Sequence, residues 1–150
     1  MKTMKHVSSF LLAIAVSSAS LFAAEKIKAG PKGGRLLETE PQKTEFFVTK
    51  DRKVEIQFYD AAMKPAAPGQ QVVNITAEPK SGRAKVDLEK TATGYVSKAA
   101  LPESAAPYRI VVQVRPTADA KPQNFRVDLN LAQCGTCKYK EYACICDEAR

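Results

Sequence analysis

Across residues 35–131, apolar side chains recur at every second position in short runs, and proline or glycine interrupts them at intervals of roughly ten residues. A period of two places alternate residues on opposite faces of an extended strand, so each run has one dry face and one wet face. Val54, Ile56 and Phe58 alternate with Lys53, Glu55 and Gln57; Ala84, Val86 and Leu88 alternate with Lys85, Asp87 and Glu89. Tyr108, Ile110, Val112 and Val114 make a third apolar face. Phe125, Val127, Leu129 and Leu131 make a fourth, opposed by Arg126, Asp128 and Asn130. Less regular strands are expected at Leu36-Leu37, at Phe46 to Val48, at Val72 to Ile75 and at Gly94 to Val96.

Segments such as Pro65 to Gly69, Pro79 to Gly82 and Pro102 to Pro107 separate these runs. Proline lacks the ladder donor and glycine tolerates positive φ, so these are turns. No long capped helical pattern follows residue 24, which removes crossover helices and a parallel sheet. The expected fold is all-β: about seven or eight strands in an antiparallel two-sheet sandwich, Ig-like or related.

The first residues have a different logic. Lys2 and Lys5 precede the apolar stretch Phe10 to Val16, and small residues around Ala23-Ala24 precede the first acidic residue, Glu25. This is the tripartite plan of a secretory signal peptide, and its apolar core is too short to span a bilayer as a helix. The reading divides the chain into a signal peptide at 1–23, a flexible glycine-rich lead-in at 24–34, the sandwich at 35–131 and a cysteine-rich tail at 132–150. It implies a periplasmic or secreted protein with no stable membrane insertion after cleavage.

Loss of Lys2 and Lys5 takes the formal charge from +7 to +5, because no acidic residue precedes Glu25. The remaining charges are spread along the wet faces rather than massed, so nucleic acid is not an expected partner. The lone histidine, His6, lies within the signal peptide. A mature chain without histidine has no Ser/His/Asp or Cys/His catalytic set and no histidine-ligated zinc. No serine, threonine or carboxylate falls in an activating motif, and the expectation is a protein that is not an enzyme.

Two motifs stand out. Gly30-Pro31-Lys32-Gly33-Gly34 lacks the strand and helix context of a phosphate-binding loop and reads as a flexible turn into the first strand. Cys134, Cys137, Cys144 and Cys146 are all the cysteines of the chain, gathered as a C-x-x-C pair and a C-x-C pair. A C-x-x-C turn containing glycine aims two sulfurs at one point, and C-x-C on extended backbone puts both sulfurs on one face. Together the four are candidate ligands of a tetrahedral S₄ site for Zn²⁺ or Cu(I), with Lys138 and Lys140 offsetting part of the thiolate charge. An exported chain with an even cysteine count equally admits two disulfides, for instance the nested pairs Cys134 with Cys146 and Cys137 with Cys144. Redox exchange at Cys134 and Cys137 is a third reading. The short loops favour metal, since disulfides restrict the unfolded chain most when they close long ones. All four cysteines fall outside the alternating runs, and the tail is expected to contribute nothing to the core.

Gly30-Pro31-Lys32-Gly33-Gly34-Arg35-Leu36-Leu37 resembles the G-P-x-G-G-R-L opening of a β-rich segment in periplasmic adaptor subunits of heavy-metal efflux systems. It also resembles small exported β-sandwich proteins that join this opening to a cysteine-rich C-terminus. The resemblance implies a periplasmic protein connected with metal handling or efflux, whose partners are a metal ion or another envelope protein. The chain has no long coiled-coil hairpin pattern and no histidine-rich or methionine-rich tract of the kind a full adaptor carries.

Overall fold

A computed structural model describes residues 26–146. The segment read as a signal peptide, residues 1–23, lies outside the described residues, as do residues 147–150 of the tail. Among the described residues eleven strands form: β1 (Lys28–Ala29), β2 (Arg35–Leu37), β3 (Lys43–Val48), β4 (Val54–Tyr59), β5 (Pro65–Ala66), β6 (Val72–Glu78), β7 (Ala84–Val86), β8 (Leu88–Lys90), β9 (Gly94–Ser97), β10 (Tyr108–Arg115) and β11 (Gln123–Leu129). One 3₁₀ turn, Glu141–Ala143, follows them.

The strands make two antiparallel sheets. The larger runs β1-β2-β3-β4-β9-β8, with β5 paired to the end of β4, and the smaller runs β11-β10-β6-β7. Alternation decides which side chains meet between the sheets. Phe46, Val48, Val54, Ile56 and Phe58 from the larger sheet face Ile75, Ala77, Ile110, Val112, Val114 and Val127 from the smaller one, all buried. Each large aliphatic or aromatic side chain withdrawn from water contributes about 1.5–3 kcal/mol before the entropy of ordering the chain. The sandwich and its wet and dry faces follow the period-two reading at Val54 to Phe58, Tyr108 to Val114 and Val127 to Leu129.

The run Ala84 to Glu89 behaves differently from a single strand. Ala84–Val86 pairs with β6 in the smaller sheet, and Leu88–Lys90 pairs with β9 in the larger one. The chain changes sheets at Asp87. Alternation survives the crossing, but both pieces are edge strands, so Ala84, Val86 and Leu88 are only half-buried.

The glycine-rich lead-in is an ordered hairpin. Lys28 and Ala29 pair with Leu36 and Arg35, and the turn between them closes through Gly33 N–H to Gly30 O and Gly30 N–H to Gly34 O. What orders it is Glu45 on β3. Glu45 points away from the sandwich core yet is fully buried, because the turn folds over it. Its carboxylate accepts from Gly34 N–H at 2.7 Å, from Lys32 N–H at 3.2 Å and from the Tyr59 hydroxyl at 2.6 Å. Burial, and secondarily this carboxylate, push the Tyr59 phenol well above its ordinary range. A Cβ on Gly30 would fall 2.2 Å from the Glu45 carboxyl carbon, and one on Gly34 would fall 2.3 Å from Phe46 O. The turn therefore needs glycine at both places for close approach.

Candidate metal centre

The tail after β11 folds back as a small hairpin of its own. Cys134 N–H donates to Tyr139 O at 2.9 Å, Gln133 bridges Lys140, and Glu141 N–H donates to Ala132 O at 3.0 Å. The Gln133 side-chain amide closes the loop from one flank by donating to Cys137 O and Tyr139 O at 3.1 and 2.9 Å. The 3₁₀ turn then reverses the chain, its last bond running from Cys144 N–H to Glu141 O at 3.2 Å. That reversal returns Cys144 and Cys146 to Cys134 and Cys137.

All four Sγ atoms lie within 4.8 Å of one another. The Cys137–Cys144 separation is 3.6 Å and the Cys134–Cys144 separation is 2.7 Å. A tetrahedral ion with metal–sulfur bonds of about 2.3 Å holds its sulfurs about 3.8 Å apart. The cluster thus has nearly the dimensions of an S₄ shell, and seating an ion would open the Cys134–Cys144 contact by about an ångström. All four cysteines are free thiols in this structure. The C-x-x-C and C-x-C pairs converge as their spacing predicts, and among the described residues no other set of three such ligand side chains converges.

The surroundings favour thiolate at Cys134 and the protonated thiol at Cys144 and Cys146. Cys134 is pulled down to about 6, first by the hydrogen bond from the Cys144 thiol, then by the Thr136 hydroxyl at 3.4 Å and by the Thr136 and Cys137 backbone N–H groups. Cys144 is pushed up to about 12, chiefly because it holds the proton that Cys134 has given up. A cation bound by both sulfurs would displace the proton they share. Lys138 lies over the Tyr139 ring, its Nζ 5.4 Å from the centroid.

The tail is not outside the core. Tyr142 is 2% exposed and Ala143 fully buried, both within the hydrophobic cluster of the sandwich. The Tyr142 ring meets Phe46 edge-on at 5.9 Å between centroids, and its hydroxyl accepts from Val48 N–H at 3.0 Å. The expectation that the tail adds no face to the core is overturned by these contacts. Its physical cause is the short length of β2, which pairs with β3 only as far as Phe46 and leaves the end of β3 for Tyr142 to cover. Thr136, Tyr139 and Tyr142 are site residues that cysteine spacing does not reveal. The one sequence signal was the adjacent Tyr142-Ala143 pair between the charged Glu141 and the last two cysteines.

The two sequence motifs also meet. A Cβ on Gly33, whose φ is +90°, would contact the Tyr139 ring at 3.6 Å, so the glycine hairpin packs against the cysteine hairpin. No protein-family model, curated protein or solved structure matches the chain.

Proposed function

We propose that this chain is an exported, non-enzymatic protein that holds a thiophilic metal ion, Zn²⁺ or Cu(I), through Cys134, Cys137, Cys144 and Cys146. The observation that carries the reading is the convergence of four sulfurs from two sides of one hairpin to within 4.8 Å. Thiolate sulfur selects such ions over hard cations, and the Thr136 hydroxyl and backbone N–H groups donate to the sulfur charge as supporting contacts do around metal ligands. The tripartite N-terminal segment supports export. The resemblance of Gly30 to Leu37 to efflux adaptor subunits supports a place in metal handling.

A second reading follows from the closest sulfur pair. In an oxidising compartment Cys134 and Cys144, 2.7 Å apart, are positioned to pair, leaving Cys137 with Cys146 rather than the nested arrangement. The cysteines would then be staples, and the sandwich an interaction module for another envelope protein. Intact mass spectrometry of protein taken unreduced from its export compartment, under native and denaturing conditions, separates the two. The metal reading expects four titratable thiols once the ion is stripped and a native mass raised by one bound ion. A mass lower by four hydrogens, with no metal, overturns it.

A further inference from the structure

The four ligands lie on the two sides of the segment that seats Tyr142. Cys134 and Cys137 belong to the hairpin loop, Cys144 and Cys146 follow the 3₁₀ turn, and Tyr142 stands two residues before Cys144. We infer that the four-cysteine site is a metal-operated lock on Tyr142, so that ion binding seats this side chain in the sandwich and ion release frees it from the end of β3. The inference rests on the reading that the cluster holds a metal ion and concerns how that site is coupled to the fold.

The seat is specific. Thr49 N–H donates to Lys53 O, toward β4, so the neighbouring Val48 N–H points to the opposite side of β3, beyond the last residue that β2 covers. Tyr142 supplies its partner. Without Tyr142 a backbone donor at the margin of the core loses its acceptor and the edge of Phe46 is uncovered. On the other side of the balance, the start of the segment 141–146 is tied to the end of the sandwich by Glu141 N–H donating to Ala132 O, while its far end, Cys144 to Cys146, lies in the sulfur cluster. Tyr142 and Ala143 are buried and Tyr142 N–H donates to Asn130 O at 3.2 Å, but Ile145 is exposed. A short 3₁₀ turn does not persist alone in water.

An ion bonded to all four sulfurs closes residues 137–144 into a ring and so restricts the freedom that Tyr142 needs to leave its seat. The coupling is reciprocal: whatever the ion adds to seating, seating adds to ion affinity.

Amide hydrogen exchange on the reduced full chain, with and without Zn²⁺, tests the lock. Val48 N–H reports the seat, and Val112 N–H, in the middle of the smaller sheet, reports the sandwich. Without metal, Val48 should exchange at least about tenfold faster than Val112, and one equivalent of Zn²⁺ should close most of that gap. Tyr142→Ala should weaken Zn²⁺ binding at least about tenfold by reciprocity. Tyr142→Phe keeps the ring and removes the acceptor. It should fold even if the alanine variant does not, bind Zn²⁺, and leave Val48 exchanging faster than in the unaltered protein. Zn²⁺ bound at one per chain with the Val48–Val112 gap unchanged, or full Val48 protection in Tyr142→Phe, overturns the lock and leaves the metal site standing. Failure to bind Zn²⁺ overturns both.

Discussion

The sandwich and the cysteine hairpin meet through Tyr142 and Ala143 in the core and through Tyr139 beside Gly33, and the two regions are ordered in different ways. In the sandwich each strand is fixed many times over: β10 alone pairs along its whole length with β6 on one side and β11 on the other, and Ile110, Val112 and Val114 are buried beneath it. A single weakened contact there is backed by its neighbours. The hairpin at 132–146 has a handful of backbone bonds, one buried aromatic and four sulfurs. Redundant burial makes a region that tolerates change at its surface and fails at its centre. Sparse burial makes a region whose state is set by whatever closes it.

The comparison breaks hardest at the centre of the smaller sheet. Val112→Asp places a carboxylate at a fully buried position and should lower stability by about 4 kcal/mol or more in urea denaturation, whereas Gln113→Ala on the wet face should change it by less than about 1 kcal/mol. Equal effects would mean that the strand faces are assigned the wrong way round.

Tyr142→Ala probes the joint between the regions. It removes a buried ring and orphans Val48 N–H, and should cost about 3–5 kcal/mol, an effect that truncation after Leu131 shares. A truncated chain that melts cooperatively at the temperature of the full chain would show the tail to be a passenger after all.

Gly30→Ala sharpens the comparison on the opposite side of the larger sheet. Its Cβ meets the Glu45 carboxylate and should cost about 1–3 kcal/mol by thermal denaturation, because the turn must lift off a buried charge. Lys32→Ala, at the same turn, loses an exposed pair with Glu55 and should cost less than about 1 kcal/mol.

The smallest effect is expected at Glu38. Hydrogen bonds from Lys28, first, and Lys43 hold its carboxyl below the ordinary range, while the pair remains partly exposed. A carboxyl lowered by folding stabilises the folded state above its unfolded pKa, and that contribution is lost as pH falls through the lowered folded value. Glu38→Gln should therefore shift stability by less than about 1 kcal/mol at neutral pH and by nothing measurable in strong acid, read from urea midpoints at the two pH values.

Legibility in the sequence followed the same division. Period-two alternation identified the wet and dry faces of β4, β10 and β11 because burial there is one-sided and repeated. It could not show that Ala84 to Glu89 changes sheets, since alternation is preserved when a strand crosses a sandwich corner. Convergence of the four cysteines was legible from their spacing, a local property. The burial of Glu45 beneath the glycine turn and of Tyr142 beside Phe46 was not, because each depends on residues distant in sequence meeting at an exposed end or outer face of the larger sheet. A glutamate among alternating residues reads as solvated until the turn that covers it is known.

The claim on which the functional account depends is that four sulfurs bind one ion. X-ray absorption at the zinc edge of the reduced protein loaded with one equivalent of Zn²⁺ reads the ligand shell directly. The account predicts four sulfur scatterers at about 2.3 Å and no lighter ligand. A shell of two sulfurs completed by oxygen or nitrogen at about 2.0–2.2 Å would contradict it.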